Sequence, residues 1–206
     1  MLKRSLLTLL VLTLAILSAA DLRPLPPAEK EGGMSLLEAL AARKSSRDFT
    51  AGKSLTAQEL STLLWCANGF NREKMRTAPS AVNAQAIEIY VFDAEAIWLY
   101  VPESHALKLI RKGDYRKATG KQPFVAKAAV NLLFVYDMEK WPGGKDKCDG
   151  KWAEADASFC SENVYLYCAA AELKTVVRGM FDAKALQKLL ALPETKLPVL
   201  TQSVGR

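Results

Sequence analysis

The chain has 206 residues, half of them hydrophobic and about a quarter charged, which is typical of one globular domain with its own core. The formal net charge is only +6, and the basic residues are scattered along the chain. This argues against a nucleic-acid-binding protein, which would concentrate its basic residues in a patch or stripe. A few arginines that serve one anionic ligand would explain the surplus equally well.

The N-terminus has the pattern of a secretory signal peptide. Lys3 and Arg4 precede an apolar run over residues 6–17, and the small residues 18–20 provide a cleavage site. The run is shorter than the roughly 20 apolar residues that a membrane span needs. We therefore predict cleavage after Ala20, a secreted or periplasmic protein, and no stable membrane insertion after cleavage. An uncleaved anchor is the alternative.

Residues 21–33 are rich in proline and glycine and predict a linker, so residues 34–206 form the domain. Ser35 begins a short amphipathic helix over 36–42, and a second helix is predicted from Ser54 to about Ala67. Beyond a polar loop the pattern predicts a hairpin, a helix, a buried strand, a long helix, a short strand, a helix and a last strand. These are 87–92 with 97–101, 104–112, 128–136, 152–173, 175–177, 183–190 and 197–204.

The long helix has two apolar stripes, which predicts that most of its sides are covered, one of them by a second subunit. The fold class is α+β, with helices around a central mixed or antiparallel sheet. Export would permit disulfides, with three possible pairings, whereas buried thiols are the simpler interpretation. The cysteines are Cys66, Cys148, Cys160 and Cys168.

The single histidine, His105, limits the chemistry that side chains alone can perform. A serine-protease triad would have to use it, and no nucleophile elbow is present. Histidine and cysteine also lack any close spacing for a zinc site, so we predict neither a catalytic side chain nor a metal. We predict that His105 caps a surface helix. A bound cofactor is then the economical source of reactivity.

Three separated segments have the residue types of one site for an anion and a planar ring. Residues 43–47 combine three cations with two hydroxyls and could hold a phosphate, unless they form a solvated basic turn. Residues 76–85 form a small polar loop whose carboxamides could meet a heterocycle edge, or a plain surface loop. Gly179, between a strand and a helix, permits close backbone approach to a ligand, or is an ordinary turn.

Taken in order, these segments resemble the nitroreductase family of FMN enzymes over residues 36–205. Asp156 and Asn163 on the long helix also resemble the family's Asp-x-Gly and Gln-Asn positions, with Ala157 in place of the glycine. Residues 60–69 and 76–79 are most similar to the branch of SagB-type azoline dehydrogenases. The resemblance implies FMN-binding residues in the basic segment, the loop, the turn and two further places. They are Arg43, Lys44, Ser45 and Arg47; Pro79, Ser80, Ala81, Asn83 and Gln85; Val177, Arg178 and Gly179; Gln122; and Arg206.

The resemblance also implies a nitroreductase-like homodimer, in which each flavin takes the basic segment from one chain and the loop from the other. Arg43 and Ser45 would hold the phosphate and ribityl chain, and Arg47 would lie near the N1–C2=O edge. Gln122 would reach the pyrimidine edge, the Gly179 N–H would approach N5, and Arg206 would close on the phosphate. Arg178 departs from the pattern, because relatives often carry an acidic residue there.

The function expected from this resemblance is an exported FMN-dependent oxidoreductase. A small-molecule donor and acceptor, such as a quinone or nitroarene, would use the flavin in ping-pong fashion. One alternative is a non-catalytic protein that binds flavin or another anion on the same scaffold. Another is a SagB-type peptide dehydrogenase.

Overall fold

The computed structural model describes residues 22–206, so the predicted signal peptide lies outside the described residues. Residues 22–206 form four α-helices and nine β-strands. The helices are α1 (Leu36–Ala42), α2 (Ala57–Asn68), α3 (Ala153–Ala170) and α4 (Ala183–Leu190). The strands are β1 (Leu22–Pro24), β2 (Phe70–Arg72), β3 (Met75–Arg76), β4 (Ile87–Phe92), β5 (Ala96–Val101), β6 (Ala106–Lys112), β7 (Val130–Asp137), β8 (Lys174–Arg178) and β9 (Lys196–Gly205).

Three of the helices begin where a side chain caps them. Ser35 forms a capping box with Glu38 at α1, and Thr56 forms one with Glu59 at α2. At α4 the N–H of Ala185 donates to the Asp182 carboxylate. These three predicted helices therefore agree with the structure, except that α2 begins at a cap two residues after Ser54.

Seven strands form one antiparallel sheet in the order β1-β6-β5-β4-β7-β9-β8. All eight residues of β7 are buried between β4 and β9, which confirms the predicted buried strand. Helices α2 and α3 cover one face, where Leu64 and Val164 pack in the same core as Phe134. Helix α4 covers the other face through Leu186. The α+β prediction is thus confirmed, with the sheet antiparallel rather than mixed.

The helix predicted over 104–112 is wrong, because this segment is strand β6. It pairs with β5 on one side and β1 on the other, so both neighbours satisfy its backbone groups. His105 consequently caps no helix. It lies in the turn before β6 with φ 47° and is hydrogen-bonded to Ser61 Oγ at 2.7 Å and Tyr100 Oη at 2.9 Å.

Three further findings concern the segment before α1, the cysteines and the lengths of the helices. Strand β1 lies inside the segment predicted as a linker, and it forms an edge of the sheet. The four cysteines are free thiols, and all but Cys66 are buried. None of the helices within residues 22–206 is both long and apolar enough to cross a lipid bilayer.

Candidate functional site

The basic segment, residues 43–47, leaves the end of α1 and lies beside the edge strand β8. The N–H of Ser46 donates to the Thr175 carbonyl at 2.8 Å, which fixes the segment's backbone to the sheet. Within residues 22–206, no carboxylate lies within 4.0 Å of the charged groups of Arg43, Lys44 or Arg47. Three cations without counter-ions on a fixed backbone are suited to an anionic ligand.

Tyr165 on α3 joins the basic segment to the turn after β8. Its hydroxyl lies 2.7 Å from Ser45 Oγ and accepts a hydrogen bond from the N–H of Val177 at 3.0 Å. The Arg43 guanidinium lies 5.4 Å from the centre of the same ring, within cation–π range. The sequence interpretation missed Tyr165. The one available signal was a tyrosine in an otherwise buried helix, whose hydroxyl needs a partner.

The turn after β8 exposes backbone at Gly179. Apart from Gly179 itself and its two chain neighbours, no heavy atom of residues 22–206 lies within 4 Å of the point where a Cβ at Gly179 would be, so packing within these residues does not require glycine here. The open space fits the predicted close approach of a ligand to this backbone. Val177 is half-buried beside it, and the following Met180 is exposed.

Arg178 does not present its side chain to this surface. Its guanidinium is buried and donates to the Thr119 carbonyl at 2.7 Å and to Asn131 Oδ1 at 3.2 Å. Burial lowers the pKa of Arg178 to about 10, which still leaves it charged at neutral pH. Only its backbone can meet a ligand in the turn. Gln122 is half-buried nearby, and its Oε1 has no hydrogen-bond partner among residues 22–206.

The polar loop, residues 76–85, is held together by its own hydrogen bonds. Ser80 Oγ accepts from the N–H of Gln85 at 2.9 Å. The Gln85 carboxamide accepts from Arg76 Nε at 3.0 Å and donates to the Lys74 carbonyl at 2.7 Å. Gln85 therefore supports the loop from within, whereas the exposed Asn83 and Pro79 face outward.

The same loop contains strained backbone. Val82, Asn83 and Gln85 have φ of 47°, 53° and 51°, in the left-handed region that a β-branched residue such as valine rarely adopts. The N–H of Ala81 donates to Asp156 Oδ1 at 2.9 Å, which ties the strained turn to α3. Strain of this kind occurs where the surrounding structure fixes a backbone for binding.

The loop and the basic segment contact opposite ends of α3. Asp156 holds the loop and Tyr165 holds the basic segment, nine residues further along the helix. Nine residues correspond to roughly 13 Å along the axis and about two and a half turns. The two side chains therefore point to opposite sides of the helix. One chain brings the basic segment and the Gly179 turn together, but not the loop.

Arg206 is also directed away from the predicted phosphate position. Its guanidinium pairs with the Glu59 carboxylate on α2. Its carbonyl accepts from the N–H of Thr50, just beyond the basic segment. The backbone of Arg206 thus lies near the site, while its side chain serves α2.

A separate open cavity of about 620 Å³ lies behind the hairpin of β2 and β3. It is lined by Trp65, Phe70, Tyr100 and His105, and by residues 27–31. None of the basic-segment residues lines it. The candidate site is therefore an exposed surface of the single chain that is separate from this cavity.

Comparison with known proteins places this chain in a family. Residues 40–206 match the family described as the Nitroreductase family. A protein from Ralstonia eutropha JMP134, assigned as a nitroreductase, is 36% identical and superposes with a TM-score of 0.83, covering 93% of this chain and 91% of that chain. No curated protein matches the chain.

Two more distant solved structures share the fold. One is an NAD(P)H:FMN oxidoreductase from Staphylococcus epidermidis, with 16% identity and a TM-score of 0.64, covering 87% of this chain and 90% of that chain. The other is a chain of the Escherichia coli microcin synthetase complex, with 18% identity and a TM-score of 0.66, covering 88% of this chain and 76% of that chain.

Proposed function

Because this chain belongs to the nitroreductase family, we propose that it is an FMN-dependent oxidoreductase. Bound FMN would supply the two-electron redox chemistry, since no side-chain arrangement in the sequence offers an alternative. The observation that carries the proposal is a trio of cations, Arg43, Lys44 and Arg47, that have no counter-ion among residues 22–206. Tyr165 connects their segment to Val177, at the start of the turn where the backbone of Gly179 is open.

The residues of this surface would contribute different interactions to FMN binding. Arg43, Lys44 and Arg47 supply charge for a phosphate, and the Ser45 hydroxyl supplies a neutral hydrogen bond. The exposed backbone at Gly179 offers its N–H and a flat approach for a ring. Gln122, with its unpaired Oε1, is a candidate contact for a heterocyclic N–H.

We propose further that the complete site forms between two copies of the chain. The position of the loop and the basic segment on opposite sides of α3 supports this arrangement. An apolar surface left uncovered by the single chain supports it too, because Leu36, Leu37 and Leu40 on α1 and Phe159 on α3 are 63%, 78%, 49% and 49% exposed. A second copy that covers this surface could bring its own loop to the basic segment.

The proposed location is argued from the predicted signal peptide, and the proposed reaction from this location and the open surface. A cleaved signal peptide over residues 1–20 would place the protein outside the cytoplasm, where free NAD(P)H is scarce. The donor is then a quinol, a protein or a substrate that is oxidised directly. A donor and an acceptor of small size would use the open surface one after the other. The SagB-type alternative would require a peptide substrate.

The absorption spectrum of the purified protein, before and after addition of FMN, tests the proposal. We expect a yellow protein whose flavin is reduced by a suitable donor and reoxidised by quinones or nitroarenes. A colourless protein that does not take up FMN contradicts the proposal. A protein that binds FMN but passes electrons to none of these acceptors would be a binding protein on the same scaffold.

A further inference from the structure

Arg178 carries a buried positive charge with no carboxylate within 4.0 Å in the part of the chain that the structure describes. Its side chain donates to three neutral acceptors, the Thr119 carbonyl at 2.7 Å, Thr119 Oγ1 at 3.3 Å and Asn131 Oδ1 at 3.2 Å. Its Nε has no partner among residues 22–206. Burial of a charge without an opposite charge is costly in general, which makes Arg178 a candidate for a role beyond packing.

Four other arginines of the described chain have a carboxylate nearby. Arg23, Arg76, Arg116 and Arg206 each lie within 4.0 Å of a carboxylate. Arg178, only 5% exposed, is more deeply buried than a paired surface arginine and should need a counter-ion most. Arg43 and Arg47 also lack a carboxylate within 4.0 Å among residues 22–206, but they are accessible to solvent, whereas Arg178 is not.

The space around Arg178 is shared with the candidate flavin site. A Cβ added to Gly120 would lie 2.0 Å from Arg178 Nη1 and 2.9 Å from Gln122 Oε1, so both groups converge where glycine leaves room. Gln122 Oε1 is itself buried without a partner in the described part of the chain. Arg178 is also the last residue of β8, so its backbone joins Val177 to Gly179 at the start of the turn. The charge therefore lies close to Gln122, and its residue is the neighbour of Gly179; the proposed function assigns both Gln122 and Gly179 to the flavin site.

We propose that the buried charge of Arg178 raises the midpoint potential of FMN bound against residues 177–179. This inference rests on the proposed function. Reduction by two electrons and one proton, both supplied by the donor, leaves the bound flavin with one additional negative charge. A fixed positive charge in a poorly screened interior stabilises that added charge, and Arg178 neither gains nor loses a proton. A raised potential would let weaker donors, including quinols, reduce the flavin.

The test compares midpoint potentials of the FMN-loaded protein with those of Arg178→Gln and Arg178→Lys, by reductive titration against a reference dye. We expect Arg178→Gln to lower the reduced-to-oxidised ratio at fixed poise by about tenfold, the typical effect of one unit charge in a protein interior. Arg178→Lys keeps the charge and should stay near the wild-type potential.

A second variant leaves Arg178 in place. Asn131→Asp puts a carboxylate where Oδ1 already accepts from the guanidinium, so it should neutralise the charge and lower the potential in the same direction. This variant decides the matter if Arg178→Gln does not fold. Arg116→Gln is the control, because Arg116 is already paired with Asp114 and should not alter the potential.

The outcomes separate this inference from the proposed function. A wild-type protein that binds no FMN overturns both. If FMN binds and its potential is the same in wild type, Arg178→Gln and Asn131→Asp, the proposed function survives and the role of Arg178 is overturned. A lowered potential in Asn131→Asp, with Arg116→Gln unchanged, supports the inference.

Discussion

The two ends of helix α3 illustrate two ways to prepare a binding surface. At the N-terminal end, Asp156 and the polar loop are joined by hydrogen bonds within the chain, and the loop's backbone is strained. At the C-terminal end, Tyr165 holds a basic segment whose cations have no counter-ion in the described chain. The loop at the first end thus has its polar groups satisfied within the chain, whereas the basic segment at the second end has charge available for a ligand.

This difference suggests how the ends would work together. A polar loop whose groups are already hydrogen-bonded can fix the position of a ring but adds little charge. A cation cluster can attract a phosphate but cannot by itself orient a ring. Since one chain holds the two on opposite sides of α3, their functions would combine only across a dimer.

The largest expected effect comes from separating the two halves. Leu37→Glu together with Phe159→Glu places charge on the uncovered apolar surface, where burial in a dimer would be costly. We expect a monomer by light scattering and a loss of FMN affinity of more than about 10³-fold, because each copy would then lack one half of the site. Ala185→Glu on the exposed side of α4 is the control, and it should leave both properties unchanged. A monomeric variant that binds FMN normally would mean that one chain suffices.

Next in size is the removal of charge from the C-terminal end alone. Arg43→Ala with Arg47→Ala removes two charge-assisted contacts, worth about 1.5–3 kcal/mol each. FMN affinity, measured by fluorescence titration, should fall on the order of 10³-fold while the protein stays folded. Lys184→Ala with Lys188→Ala removes the same charge from α4 and should have no comparable effect. Equal losses in both variants would point to net charge rather than to this segment.

At the N-terminal end the expected effect is on stability. Asp156→Ala leaves the N–H of Ala81 without its acceptor and should reduce the free energy of unfolding by about 1–3 kcal/mol. Asp156→Asn retains an acceptor oxygen in nearly the same place. It should therefore be clearly more stable than Asp156→Ala in urea unfolding.

The pH dependence of the asparagine variant sharpens this prediction. Burial raises the pKa of Asp156, so the folded wild type holds this proton more tightly than the unfolded chain does. Its contribution to stability is present at low pH and is lost as pH rises through the folded pKa. The stability of Asp156→Asn relative to wild type should accordingly increase between pH 4 and pH 8. A constant difference would show that the carboxylate is not penalised by burial.

A smaller effect is expected from the link between the basic segment and the turn. Tyr165→Phe removes the hydroxyl that meets Ser45 and accepts from Val177, at a cost of about 1–2 kcal/mol. FMN affinity should fall only several-fold, because the charges remain. Tyr167→Phe on the same helix is the matched control, and no effect on FMN binding is expected there. A Tyr165→Phe protein that equals wild type in both measurements would show that the link is dispensable.

Local sequence patterns predicted the elements that carry their own signals. The helices α1 and α4 begin at capping residues that are visible in the sequence, and β7 is an uninterrupted apolar run. The order of the basic segment, the loop and the turn also predicted the family. These features depend on neighbouring residues, so the sequence was sufficient for them.

Features that depend on distant partners were not accessible in the same way. Segment 104–112 has the composition of a helix, and only pairing with β5 and β1 makes it strand β6. The burial of Arg178 depends on Thr119 and Asn131, which are far away in sequence. The opposite placement of Asp156 and Tyr165 could have been calculated from helix geometry, but only after their contacts were known.

The smallest expected effect concerns His105, which contacts neither end of α3. It tests whether FMN binding depends only on the two ends of that helix. Burial lowers the pKa of His105, so the folded state favours the neutral ring held by Ser61 and Tyr100. The stability from this group is present above the ordinary histidine pKa and is lost as pH falls through the lowered folded value. His105→Asn keeps the left-handed turn without titrating in this range. Wild type should therefore lose slightly more stability than His105→Asn between pH 7 and pH 5, by less than about 1 kcal/mol because solvent screens the half-exposed ring. FMN affinity should be equal in the two proteins at pH 7, and a large change would mean that the His105 region communicates with the flavin site.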